Sequence, residues 1–156
     1  MIAFKKVKKE QFAKDGGDAN VFDEICLPRR ATSASAGYDI FAPSEIVVEK
    51  GQTALIATGI KAQMPQNAVL LILPRSGLGF KYKLRLCNTV GVIDADYFDN
   101  AKNEGHIMIK LSAEGERVVI EKGKAFAQGI FVNYLLCDDD DVNDSRQGGF
   151  GSTDKK

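Results

Sequence analysis

Two carboxylates and a phenol close the segment Asn88-Thr89-Val90-Gly91-Val92-Ile93-Asp94-Ala95-Asp96-Tyr97. The apolar stretches on either side of Gly91 predict a hairpin that opens into a pocket with Asp94 at its edge. A fixed carboxylate can take a proton from water, and His106 is the only histidine, so mechanisms that need two imidazoles are excluded. No G-x-S-x-G turn accompanies His106, which removes the usual serine-nucleophile arrangement. Chemistry in this chain rests on carboxylates. Exposed hairpin backbone carries amide donors and carbonyl acceptors that can imitate a base-pairing edge, and Gly91 permits close approach. Such a pattern suits uracil, whereas cytosine inverts donor and acceptor and strands buried groups at about 1–3 kcal/mol each.

Two further segments are suited to anions. Pro74-Arg75-Ser76-Gly77-Leu78-Gly79 follows an apolar run, so a strand that ends in a Pro-fixed turn and opens a short helix would present amides, a guanidinium and a hydroxyl to phosphate oxygens. The Gly-rich stretch from Arg146 to Lys156 has neither helical nor strand character. It holds Arg146 for phosphate, Phe150 for stacking on a base, and Gly151, Ser152 and Thr153 for close wrapping and hydroxyl contacts. Between Asp138 and Lys156 only Val142 and Phe150 are appreciably apolar, so this arm must borrow its order from a ligand or a neighbouring subunit.

The 156 residues fit one domain, read as residues 1–137 with a flexible arm at 138–156. Lys plus Arg and Asp plus Glu each number 21, so no global field draws the chain to nucleic acid or to an anionic membrane, and a small ligand suits it better. Lys5, Lys6, Lys8 and Lys9, and the run Asp138 to Asp141, read as solvated surface. Cys26, Cys87 and Cys137 are odd in number and widely spaced, which supports neither a disulfide framework nor a zinc site. With no signal-peptide order and no membrane-length apolar run, the expected location is the cytoplasm.

These residues must be positioned by strands. Ile46–Val48, Ala54–Ala57, Val69–Leu73, Ile107–Leu111, Val118–Ile120 and Gly129–Val132 are short, rich in β-branched residues and separated by Gly, Pro, Asn or Asp. The fold class is therefore all-β, a distorted jelly roll or barrel-like domain, with at most one short helix starting near Ser76. No internal repeat is present.

Taken in order, Ala36-Gly37-x-Asp39, Pro74-Arg75-Ser76-Gly77, Gly91-x-Ile93-Asp94-x-Asp96-Tyr97, Gly123-x-x-x-Ala127-Gln128 and Gly148-Gly149-Phe150-Gly151-Ser152-Thr153 closely resemble the trimeric deoxyuridine triphosphatase family. The resemblance runs from about Leu27 to Thr153. It implies a β-rich homotrimer with intersubunit sites that uses Mg²⁺ to hydrolyse dUTP to dUMP and pyrophosphate, keeping uracil out of DNA and supplying dUMP for dTMP synthesis. It further implies that Asp94 deprotonates the water attacking the α-phosphorus, while Asp39 contacts the metal through water and Gln128 assists at the phosphates. Arg75, Ser76 and Gly77 would hold the phosphate chain, and Asn88 with the backbone near Gly91 would read uracil. Tyr97 would exclude a 2′-hydroxyl. Phe150 would close over the base while Arg146, Gly151, Ser152 and Thr153 clamp the γ-phosphate.

The chain departs from the family pattern at Phe98-Asp99-Asn100, at Lys124-Ala125 and at Asp154, and Ala101 to Gly105 reads as a longer surface turn. A related dCTP deaminase shares the Arg-Ser segment but needs a glutamate on the strand Ile107 to Leu111, where Lys110 stands here. A dUTP-sensing regulator that engages another protein is the rival from a different class.

Overall fold

The computed structural model describes residues 1–142. Twelve strands occur among them: β1 Ala3–Lys6, β2 Arg29–Arg30, β3 Tyr38–Phe41, β4 Ile46–Val48, β5 Thr53–Ala57, β6 Ile60–Gln63, β7 Ala68–Pro74, β8 Leu84–Leu86, β9 Gly91–Ile93, β10 Met108–Ala113, β11 Val118–Ile120 and β12 Ala125–Asn133. They form four sheets, in the orders β1-β6, β5-β10-β8, β11-β4 and β2-β3-β12-β7-β9. The fold is all-β, and the four sheets share one core without closing into a barrel.

Alternation decides which face of each strand is buried. In β7, Ala68, Leu70 and Ile72 point inward while Val69 and Leu71 are half-buried. Leu70 and Ile72 join Ile40, Ile60, Ile107, Leu111 and Phe126 in one core, each almost fully removed from water. Each such side chain stabilises the fold by about 1.5–3 kcal/mol. The centre of the large sheet is β12, paired with β3 on one side and β7 on the other, both antiparallel.

Two short α-helices occur among the described residues, α1 Lys9–Lys14 and α2 Ser76–Tyr82, together with 3-10 turns at Ala19–Glu24 and Ala95–Tyr97. Only α2 matches the single helix expected from sequence. Six-residue α1 buries one side chain, Phe12, and is too short to display a helical period. It ends at Asp15, whose carboxylate reaches His106 (2.6 Å). No helix among the described residues is long and apolar enough to cross a membrane.

Candidate active site

Pairing register gathers the first group of candidate residues. Asp39 on β3 lies opposite Gln128 on β12, and Gln128 lies opposite Leu73 on β7, so these side chains share one face of the sheet. Arg75 continues that face beyond the end of β7. Its Nε meets Asp39 Oδ1 at 3.3 Å, and its terminal nitrogen donates to the Ala125 carbonyl at 3.3 Å. Gln128 Nε2 donates to the Pro74 carbonyl at 3.0 Å. Gly37 lies beside it, and a Cβ there would stand 2.4 Å from Gln128 Oε1, displacing that amide. Ser76 and Gly77 open α2 directly after Arg75, and open space lies where a Gly77 side chain would be.

The second group surrounds a groove. The hairpin expected about Gly91 does not form: Gly91 opens β9, which pairs with β7, while the preceding arm β8 joins β10. The connection from Cys87 to Val90 turns tightly, with Thr89 at φ +66° and the Val90 amide donating to the Asn88 carbonyl at 2.7 Å. The arms diverge because each is held by a different sheet, and a groove of about 680 Å³ opens between them. Asn88, Gly91, Ile72, Leu86, Leu55 and Met108 are among its walls. Gly91 has a packing reason as well as any ligand reason. Its missing Cβ would lie 3.0 Å from Ile72 Cβ, so a side chain there would push β9 and β7 apart by a few tenths of an ångström.

Asp94 and Tyr97 follow β9. Asp94 precedes the turn Ala95–Tyr97, and the Tyr97 amide donates to its carbonyl at 3.1 Å. Tyr97 is 4% exposed, and its hydroxyl donates to the His106 carbonyl at 2.9 Å. Ile93 pairs with Leu70, so Asp94 stands level with Val69, six residues before Arg75 along the same strand. At roughly 3.3 Å per residue that separates Asp94 from the Arg75 cluster by about 20 Å within one chain. The two groups are not brought together by a single copy. Arg146, Phe150, Gly151, Ser152 and Thr153 lie outside the described residues.

Sequence reasoning missed the supports behind Tyr97. His106 is fully buried, its Nε2 accepts from the Gly59 amide at 2.8 Å, and its Nδ1 therefore carries the proton shared with Asp15 Oδ2. Burial lowers the His106 pKa below its ordinary value, against the upward pull of Asp15 and Glu104. The stretch Ala101 to Gly105 is a surface turn only at Ala101 and Lys102; Gly105 is buried and Asn103 reaches the Tyr97 hydroxyl at 2.8 Å. The spacing Asn100-x-x-Asn103 before a glycine was the available signal, since asparagine side chains organise such turns.

Residues 23–154 match the dUTPase family. The deoxyuridine 5'-triphosphate nucleotidohydrolase of Lactococcus lactis is 45% identical over 132 residues, spanning 83% of this chain and 88% of that protein. The enzyme of the same name from an Enterobacter strain is 37% identical over 148 residues, spanning 89% and 93%. In three dimensions, the dUTPase from Streptococcus mutans superposes with a TM-score of 0.71 at 36% identity, covering 87% of this chain and 98% of that one. With a match that spans the sheet face of Asp39, Arg75 and Gln128 as well as the groove leading to Asp94, the chain belongs to the dUTPase family.

Proposed function

We propose that the protein hydrolyses dUTP to dUMP and pyrophosphate, limiting uracil in DNA and supplying dUMP for dTMP synthesis. The observation that carries this reading is a carboxylate, Asp94, at the end of the strand that walls a groove roomy enough for a base, in a chain of the dUTPase family. Uracil enters the groove between β8 and β9, where Asn88 and the turn backbone offer donors and acceptors. Tyr97 meets the deoxyribose with its ring, so a 2′-hydroxyl is refused by contact. Asp94 orients a water toward the α-phosphorus and removes its proton, a contribution of about 10² to 10⁴ in rate.

The phosphate chain belongs to Arg75, Ser76, Gly77 and Gln128. Their separation of about 20 Å from Asp94 along β7 supports a site shared between copies, in which one subunit supplies Asp94 and another supplies Arg75. A homotrimer with intersubunit sites satisfies that requirement. The arm at 138–156 then closes the site, with Phe150 over the base and Arg146, Gly151, Ser152 and Thr153 on the γ-phosphate.

Mg²⁺ fits the donors present. Asp39 and Gln128 offer oxygens on one face, yet among the described residues no group of three or more His, Cys, Asp or Glu gathers to hold a metal directly. An ion here would be held through water and substrate phosphates, with Asp39 in its outer sphere. When bound, it neutralises the charge of the triphosphate. The described β10 carries Lys110 and no glutamate, which favours hydrolysis over deamination.

The deciding assay is pyrophosphate release from dUTP, dCTP, dTTP and UTP, with and without Mg²⁺. Release from dUTP alone, dependent on Mg²⁺, is expected. Ammonia release from dCTP would replace this reading with the deaminase.

A further inference from the structure

The loop 98–105 between Tyr97 and β10 is held together by two asparagine side chains. Asn100, 9% exposed, donates from Nδ2 to the Tyr97 carbonyl at 2.7 Å and to Asn103 Oδ1 at 2.8 Å. Its Oδ1 accepts from the amides of Lys102 (3.0 Å) and Asn103 (3.2 Å). Asn103 Oδ1 also accepts from the Gly105 amide at 3.2 Å. Every acceptor bond of the Asn103 side chain therefore falls on Oδ1, and Nδ2 is left to donate to the Tyr97 hydroxyl at 2.8 Å. That hydroxyl in turn donates to the His106 carbonyl.

The phenol is thus gripped from two sides. Its one proton is given to His106 and one of its lone pairs is taken by Asn103. A tyrosine so committed has no proton left to offer a sugar hydroxyl, and its ring is fixed in plane and depth. Exclusion of a ribose by contact needs that rigidity, because a misplacement of 1 Å or so would admit an added oxygen. The Asn100–Gly105 loop is thus the means by which the ring is fixed.

We propose that Asn103 is a positioning residue for sugar selection, acting through the Tyr97 hydroxyl. This rests on the assignment of Tyr97 as the surface that refuses a 2′-hydroxyl. A donor is required at Asn103 because the phenol proton is already used. Aspartate there keeps Oδ1 for the bonds to Asn100 and Gly105 but places an acceptor against Tyr97, pulling the phenol proton away from His106.

The experiment compares kcat/KM for dUTP and UTP in the full-length protein and in Asn103→Asp, Tyr97→Phe, the double variant and Tyr97→Ala. Asn103→Asp is expected to lower the dUTP/UTP ratio about tenfold, the loss of one buried hydrogen bond, and to lower it no further in the Tyr97→Phe background. An unchanged ratio in Asn103→Asp, alongside a relaxed ratio in Tyr97→Ala, overturns the role of Asn103 and leaves the sugar gate standing. Equal losses in both backgrounds overturn it too, because Asn103 would then act around the phenol. No change in Tyr97→Ala removes the gate and this inference together. Should Asn103→Asp fail to fold, Tyr97→Phe decides alone: removing one oxygen must shift the Asn103 side-chain amide resonance and lower the ratio, and failure of either sinks the proposal.

Discussion

Arg75, just past the end of β7, and Asp39 on β3 meet with Nε and Oδ1 3.3 Å apart, while the same guanidinium donates to the Ala125 carbonyl. The cation is held from β3 and from β12 at once, so it is aimed before any phosphate arrives. At 42% and 20% side-chain exposure the pair is screened by water and contributes no more than about 1 kcal/mol to the fold. Asp39→Asn should therefore keep the melting temperature within a few degrees. Activity should fall more, about tenfold in kcat/KM for dUTP, because the guanidinium loses its anchor and the metal's waters lose an anionic acceptor. The concentration of Mg²⁺ needed for half-maximal rate should rise. A large loss of stability with unaltered kcat/KM would give Asp39 a purely structural part.

Asp94→Asn tests the base. The substitution keeps the shape and removes the proton acceptor, so binding of dUTP with Mg²⁺ should persist while kcat falls by about 10² or more. Isothermal titration with a non-hydrolysable analogue separates the two effects. Unimpaired turnover would take Asp94 out of the chemistry. Because Asp94 stands level with the start of β7 and Arg75 just past its end, mixing Asp94→Asn subunits with Arg75→Ala subunits should restore part of the activity that each lacks alone. Absence of any restoration would argue that each site is built within one chain.

Much of the β framework was legible because burial writes itself into β-branched runs. Ile46–Val48 and Val118–Ile120 are strands with the bounds expected from sequence, and they pair with each other. The helix at Ser76 was legible from Pro74 and the small residues after it. Strands β1, β2, β6 and β8 were not, since AFKK, RR, IKAQ and LRL are short and each carries charge, so packing rather than pattern decides. The hairpin at Gly91 was misread for a similar reason: apolar arms say that two segments are strands, and nothing local says that they enter different sheets. The Tyr97 network was hidden because His106, Asp15 and Asn103 are brought together only by tertiary folding.

Acid should weaken the fold through His106. Burial holds its imidazole neutral below the ordinary value of 6.5, with Asp15 and Glu104 opposing that shift. The unfolded chain binds a proton at higher pH than the folded one, so the stabilising contribution is complete above about 6.5 and is lost as pH falls through the folded value. Melting temperature should drop as pH is lowered from about 7.5 to 5.5, at a rate bounded by about 1.4 kcal/mol per pH unit for one proton. His106→Gln should melt lower throughout, having lost the bond to Asp15, yet with a flatter profile over this window. Identical slopes for the two proteins would show that another group controls the response.

Two glycines near the site should respond to alanine in opposite ways. At Gly105, φ is +79° and a Cβ would lie 2.5 Å from the Tyr97 carbonyl oxygen, so Gly105→Ala strains backbone against backbone and should cost about 1–3 kcal/mol of stability. At Gly37 the obstacle is the tip of a flexible side chain, Gln128 Oε1 at 2.4 Å. Gly37→Ala should thus fold with little loss, under about 1 kcal/mol, by swinging the Gln128 amide away from the Pro74 carbonyl. If Gln128 acts at the phosphates, that displacement alone should lower kcat/KM for dUTP about tenfold, and Gln128→Ala should add nothing further in the Gly37→Ala background. Full activity in Gly37→Ala would show that the amide's position is irrelevant to turnover. A severe stability loss would show instead that Gln128 cannot move, because β3 and β12 pack too closely to let it turn.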